Sequence, residues 1–122
     1  MIKIERLFKS FKWAWHGLRD SFYREQNLRI ELIVFLFVVI VGFFFKLSKA
    51  EWIAVINACF FVVFAEMINT CIERITDLIT DKRKLGFAKQ AKDVGAAAVL
   101  ISAIYSLFIA IMIFLPKLKL IL

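Results

Sequence analysis

Apolar and polar positions follow one rhythm near the start of the chain and another in the rest. In residues 3–23 the apolar side chains Ile4, Leu7, Phe8, Phe11, Trp15, Leu18 and Phe22 recur at helical spacing and form one face. Lys3, Arg6, Lys9, Lys12, His16 and Arg19 occupy the remainder. Such a basic amphipathic helix lies in the headgroup layer, with its apolar side in lipid and its cations among anionic lipids.

From residue 28 the period gives way to long apolar runs. A first membrane span is expected over about 28–45, uncharged from 32 to 45 and short for a core of about 30 Å, which places Arg29 and Glu31 at the interface. A turn follows at 46–51, where Ser48 and Glu51 have the spacing of a capping box. The second span, about 52–72, is interrupted by Asn57, Glu66 and Asn69, and its helix is expected to continue to about Thr80. A polar stretch contains the basic cluster Lys82, Arg83, Lys84 and a second polar group at 89–93. The third span, about 94–115, carries no charge and opens with small residues (95–98) that permit close helix contact. Pro116 is expected to end it, with Lys117 and Lys119 anchoring the tail. The pattern predicts an all-α membrane protein: one domain over 1–122, made of an N-terminal amphipathic surface helix and three transmembrane helices.

Composition supports lipid as the solvent. Hydrophobic residues make up 62%, mean hydropathy is +0.81, and 14 Phe stand against one Pro. A soluble domain of 122 residues could not bury that much apolar surface. The net charge of +7 would suit nucleic acid, but the Phe and Trp stripe opposite the cations fits a membrane, so no nucleic-acid partner is expected. Cys59 and Cys71 are about 18 Å apart along one helix and cannot bridge each other. Both read as core residues. No cleavable signal peptide is expected, because the N-terminus is basic for too long before an apolar stretch.

Lys and Arg number seven before residue 30, two in the turn at 46–51, six at 73–93 and two after 115. The positive-inside rule therefore predicts a cytoplasmic N-terminus and second loop. Glu25, Glu73, Asp77, Lys92 and Asp93 then lie at the cytoplasmic surface, with Glu66 below it in the bilayer.

Glu66, Asn69, Glu73 and Asp77 fall at roughly 0°, 300°, 340° and 20° around the second helix, a narrow stripe. An intramembrane carboxylate costs about 2.5–3.5 kcal/mol on insertion scales, which makes it a candidate functional group. A shallow carboxylate such as Glu73 can hold a hard cation, with Glu25 as a second ligand. The deeper Glu66, desolvated, can take a proton from a hydroxyl held at the interface. Asn69 can orient either group, and Lys92 with the basic run 82–84 supplies positive charge for phosphate oxygens. These are the parts of phosphoryl transfer, and the depth of the base points to a lipid alcohol as acceptor.

Structural readings of the same residues stand beside these. Glu66 could pair with Asn57 or a neighbouring chain and hold helices together. Glu73 and Asp77 could be the solvated end of a helix, His16 an interfacial polar residue, and Trp13, Trp15 and Trp52 an interface belt. The four glycines, at 17, 42, 86 and 95, form no nucleotide-binding loop. A small proton- or cation-coupled transporter using Glu66, or a non-catalytic assembly subunit, is the competing function. Transporters usually have more spans or an inverted repeat.

The stretch Glu66-Met-Ile-Asn-Thr-Cys-Ile-Glu-Arg-Ile-Thr-Asp77 resembles the E-x-x-N-[ST]-x-[IV]-E-x-x-x-D signature of the small bacterial integral-membrane diacylglycerol and undecaprenol kinases. Ala91-Lys-Asp-Val-Gly-Ala-Ala-Ala-Val-Leu100 is similar to their A-K-D-x-[GA]-[AS]-[AG]-A-V-L segment, and Arg6-Leu-Phe-Lys-Ser-Phe and Glu25-Gln-Asn-Leu-Arg-Ile30 also match. The resemblance implies a multi-pass protein of the bacterial cell membrane, a homotrimer with active sites shared between subunits. It implies Glu66 as the general base and Glu25 and Glu73 as ligands of Mg2+ or another divalent cation. It also implies that Arg6, Trp13, Glu25, Glu73, Lys92 and Asp93 surround ATP, with Lys82, Arg83 and Lys84 a weaker carry-over from a variable loop. Asn69 and Asp77 match supporting polar positions, and at Trp13 the family often has Tyr.

The acceptor is divided between two branches. Asn27-Leu-Arg-Ile-Glu31 ends in Glu, as in the diacylglycerol branch, where undecaprenol kinases commonly have His; Leu85-Gly-Phe-Ala-Lys89 lacks the family's His-Pro. Ser10-Phe-Lys-Trp-Ala-Trp-His-Gly17 and the turn ending Ala50-Glu-Trp52 resemble the undecaprenol branch. The reading inclines to undecaprenol.

Overall fold

A computed structural model describes residues 3–121; residues 1, 2 and 122, the outermost positions of the expected domain, lie outside it. The first helix, α1 (Ile4–Arg24), ends where Glu25 takes an extended backbone, with φ −98° and ψ 115°. α2 (Gln26–Phe44) starts one residue later. Arg29 closes the joint: its Nη1 donates to the carbonyl oxygens of Phe22 and Tyr23 at 3.2 and 2.7 Å, satisfying groups that the end of a helix leaves open. The apolar stripe of α1, including Phe8, Phe11 and Trp15, is exposed, as an interfacial helix requires.

α2, α3 (Lys49–Thr80) and α4 (Gly86–Lys119) are each long and apolar enough to cross a membrane. No strand occurs among the described residues. α3 and α4 share the most extensive contact, and α2 packs on α3. The burial pattern is that of a protein dissolved in lipid. Leu36, Phe37, Ile104 and Phe108 point outward, while Glu66, Asn69, Thr70 and Ser102 are inside. Ser106 Oγ, on α4, donates to the Ala58 carbonyl of α3 at 2.9 Å, one of the interhelical bonds that replace the hydrophobic effect in this solvent.

Both tight turns use positive φ without glycine. Lys46 (φ 51°) turns the chain from α2 towards α3. There Ser48 accepts from the Glu51 amide at 3.3 Å and Glu51 accepts from the Ser48 amide at 2.7 Å, the expected capping box. Asp81 and Lys82 (φ 51° and 58°) end α3, where Asp tolerates the left-handed region better than most residues. Arg83 Nε donates to the Thr80 carbonyl at 3.1 Å and closes the turn.

Two expectations are corrected. Pro116 lies inside α4, which runs on to Lys119. So near the C-terminus a proline removes a single intrahelical bond, and Lys117, paired with Glu51 at 3.1 Å, holds the last turn. Cys71 is exposed and not core, because it lies on the side of α3 turned from its neighbours; Cys59 is half-buried. Among the small residues 95–98, Gly95 makes the expected close contact with α3, and 96–98 are exposed. The polar group at 89–93 also belongs to α4, which begins at Gly86.

Candidate active site

α3 carries the polar stripe without interruption from bilayer depth to its far end. Glu66 and Asn69 are buried, at 4% and 6% exposure, and Glu73 and Asp77 are half-buried. Asn69 Nδ2 donates to Glu73 Oε1 at 3.3 Å, linking the deep and shallow parts of the stripe. Asn69 Oδ1 is buried without a partner. Gly95 of α4 faces it closely: a Cβ there would lie 2.5 Å from that oxygen. A buried amide oxygen left open is a costly arrangement.

α2 completes the pocket. The Asn27 side chain lies against the Glu66 carboxylate, and Glu25, Glu31 and Glu73 all lie within electrostatic reach of it. Glu31 Oε2 is a second buried oxygen without a partner. Asn57, the alternative partner for Glu66, is exposed more than two turns away. Below the site, a cavity of about 360 Å3 separates α2, α3 and α4. Glu31 lines it together with apolar side chains such as Val34, Val38, Cys59 and Leu107.

The remaining expected residues divide. Lys92 bonds to Asp77 and ties α4 to the wet end of the stripe. Asp93 pairs with Lys89 at 2.6 Å on the surface of α4. Glu25 sits at the α1–α2 joint and accepts from Arg74 Nη2 at 2.7 Å. Arg6 and Trp13 are exposed on α1, and Lys82, Arg83 and Lys84 are exposed in the α3–α4 turn. No contact described within one chain carries these five to Glu66.

Sequence reasoning passed over Asn27, Arg74 and Asp20 and placed Glu31 at the interface. Asn27 and Glu31 were legible, being four residues apart and therefore on one face of α2. Arg74 Nη1 donates to Asp20 Oδ2 at 2.7 Å, a pairing across 54 positions that no local pattern announces. Arg74, and then Arg24, hold the Asp20 carboxyl below the usual carboxylate range.

The geometry offers a buried carboxylate, Glu66, with the Asn27 amide against it, and two less buried carboxylates, Glu25 and Glu73, within electrostatic reach. Among the described residues, no three carboxylate, His or Cys side chains converge on a closed metal cage.

Comparison with known proteins gives a consistent result. The family model described as prokaryotic diacylglycerol kinase matches residues 12–114. The chain is 39% identical over 116 residues to an undecaprenol kinase of Bacillus subtilis, covering 95% of this chain and 94% of that protein. It is 34% identical to a diacylglycerol kinase of Helicobacter pylori, over 83% of this chain and 78% of the relative. With the diacylglycerol kinase of Escherichia coli K12 the identity is 29%, over 81% and 80% respectively.

Proposed function

The chain belongs to the prokaryotic diacylglycerol kinase family, phosphotransferases with an alcohol acceptor, and on that premise we propose that it transfers the γ-phosphoryl group of MgATP to a lipid hydroxyl held beside Glu66. The observation that carries this reading is the buried Glu66 carboxylate, with Asn27 against it, on the same helix face as the bonded pair Asn69 and Glu73. Glu66 accepts the hydroxyl proton as the lipid oxygen forms its bond to the γ-phosphorus, and the bond to the β-phosphate oxygen breaks to release ADP. Asn27 holds the Glu66 carboxylate, and Asn69 holds Glu73. The open Asn69 Oδ1 is an acceptor for water on a cation. Lys92, held at Asp77, brings positive charge to the phosphates.

The residues present fit Mg2+. Glu25 and Glu73 are hard oxygen donors, and Mg2+ takes one or two carboxylates plus phosphate oxygens in place of an all-protein cage. A cation that arrives with the nucleotide needs no closed set of ligands. When bound, Mg2+ would neutralise charge developing on the phosphate oxygens.

The site belongs at the cytoplasmic surface, by the distribution of Lys and Arg. Arg6, Trp13, Asp93 and the cluster 82–84 fit a nucleotide site assembled between copies in a homotrimer, since one chain leaves them apart from Glu66. For the acceptor we favour undecaprenol. The Bacillus undecaprenol kinase is more similar, over more of its length, than the two diacylglycerol kinases above.

Purified protein in lipid vesicles, given MgATP and each alcohol, should phosphorylate undecaprenol faster than diacylglycerol. Preference for diacylglycerol overturns the choice of acceptor, and phosphorylation of neither overturns the kinase reading. Glu66→Gln should lower kcat by about 10²–10⁴-fold, the usual contribution of a general base, with thermal stability retained.

A further inference from the structure

Arg74 lies where three segments of the chain meet. Its Nη1 donates to Asp20 Oδ2, near the end of α1, and its Nη2 to Glu25 Oε1, at the α1–α2 joint, both at 2.7 Å. Asp20 is held from the other side, its Oδ1 accepting from Arg24 Nε at 2.6 Å. Exposed ion pairs are individually weak. This one is a planar fork with both tines engaged, a geometry that fixes orientation as well as distance. What it fixes is Glu25, the single non-helical residue between two helices, whose backbone would otherwise let its side chain range widely. Only one Glu25 oxygen is taken; among the described residues Oε2 accepts no hydrogen bond. Arg74 follows Glu73 directly on α3, so the fork ties Glu25 to the turn that bears the other proposed cation ligand.

We propose that Arg74 is a positioning residue for Glu25. It occupies Oε1, leaves Oε2 free for the divalent cation that accompanies the nucleotide, and thereby sets the affinity for that cation. The inference rests on the cation reading of Glu25 and Glu73 above. Asp20 is the anchor that keeps the guanidinium in place.

The test is direct binding of Mn2+, read by electron paramagnetic resonance on full-length protein in vesicles with a non-hydrolysable ATP analogue, alongside the Mg2+ dependence of turnover. Arg74→Ala should weaken Mn2+ binding by about tenfold, within the range seen when a group orienting a metal ligand is removed. It should raise half-saturating Mg2+ in parallel, with kcat at saturating Mg2+ and KM for the lipid little changed. Arg74→Lys, which keeps a charge but loses the fork, should fall between. Asp20→Asn should shift both in the same direction by less. Mn2+ affinity in Arg74→Ala equal to or tighter than wild type overturns the proposal. So does an equal loss across Mn2+ binding, lipid KM and melting temperature, which marks a structural strap. If Arg74→Ala does not fold, wild-type affinity in both Arg74→Lys and Asp20→Asn overturns it. Failure of the wild-type protein to bind Mn2+ with nucleotide removes the cation site itself, and this proposal with it.

Discussion

The two ends of the three-helix bundle are built on opposite principles. At the end where α3 begins, polar groups find partners. Ser48 and Glu51 cap each other, Lys117 pairs with Glu51, and the Trp52 ring lies over Gly42 with its centroid 4.9 Å from that of Phe43. At the other end, where burial should be most expensive, Glu31 Oε2 and Asn69 Oδ1 are left open and several carboxylates crowd Glu66. A buried acceptor without a partner costs about 1–3 kcal/mol, so the second end stores a cost that the first avoids. The closed end serves stability. On the function proposed above, the open end is a place where a missing partner, substrate or metal-bound water, completes the bonding.

The two buried glycines make that contrast testable, since each would meet its neighbour closely if given a Cβ. Gly95→Ala places a methyl 2.5 Å from Asn69 Oδ1 and should reduce turnover by tenfold or more, about 1.4 kcal/mol at the barrier, in the assay that phosphorylates the lipid. Gly42→Ala places one 2.6 Å from Cη2 of Trp52. It should cost about 1–3 kcal/mol in stability, by the usual penalty of overpacking, while kcat stays near wild type. Equal effects of the two variants on kcat would erase the distinction between the ends. A finer probe is Ser48→Ala, which removes a cap worth about 1 kcal/mol and should lower the melting temperature without touching KM for ATP.

The smallest effect concerns pH. The Asp20 carboxyl lies below its ordinary range in the folded chain, so its ion pairing contributes fully above the unfolded value of about 4 and is lost as pH falls through the depressed value. Proteolysis at the α1–α2 joint should be constant between pH 8 and 5 and rise only below pH 4. In Asp20→Asn it should be raised throughout.

How much of this was legible depended on how far apart the cooperating residues are in the chain. Local periods gave the surface helix, three spans and the acidic stripe, because hydrophobic repeat and helical angle are properties of neighbouring residues. The capping box was readable for the same reason, at three residues' spacing. Arg74 with Asp20, Gly95 against Asn69, and Lys92 on Asp77 join distant segments, and nothing in one segment names the other. Pro116 misled because a proline's effect depends on how many bonds of the helix remain beyond it. Arg6 and Trp13 were drawn from resemblance alone and the 82–84 cluster from its charge as well, and a single chain leaves all of them on its surface.

α3 is one unbroken rod of 32 residues, about 48 Å at 1.5 Å per residue, longer than the hydrocarbon layer of about 30 Å. With its apolar length seated in the bilayer, Glu66 stands at a height the lipid cannot choose. If Glu66 is the base proposed above, an alcohol whose hydroxyl floats above or sinks below that level does not meet it, whatever its tail. On this reading the enzyme sorts acceptors by altitude: α3 is a gauge, and the position of the hydroxyl along the membrane normal is the quantity it measures.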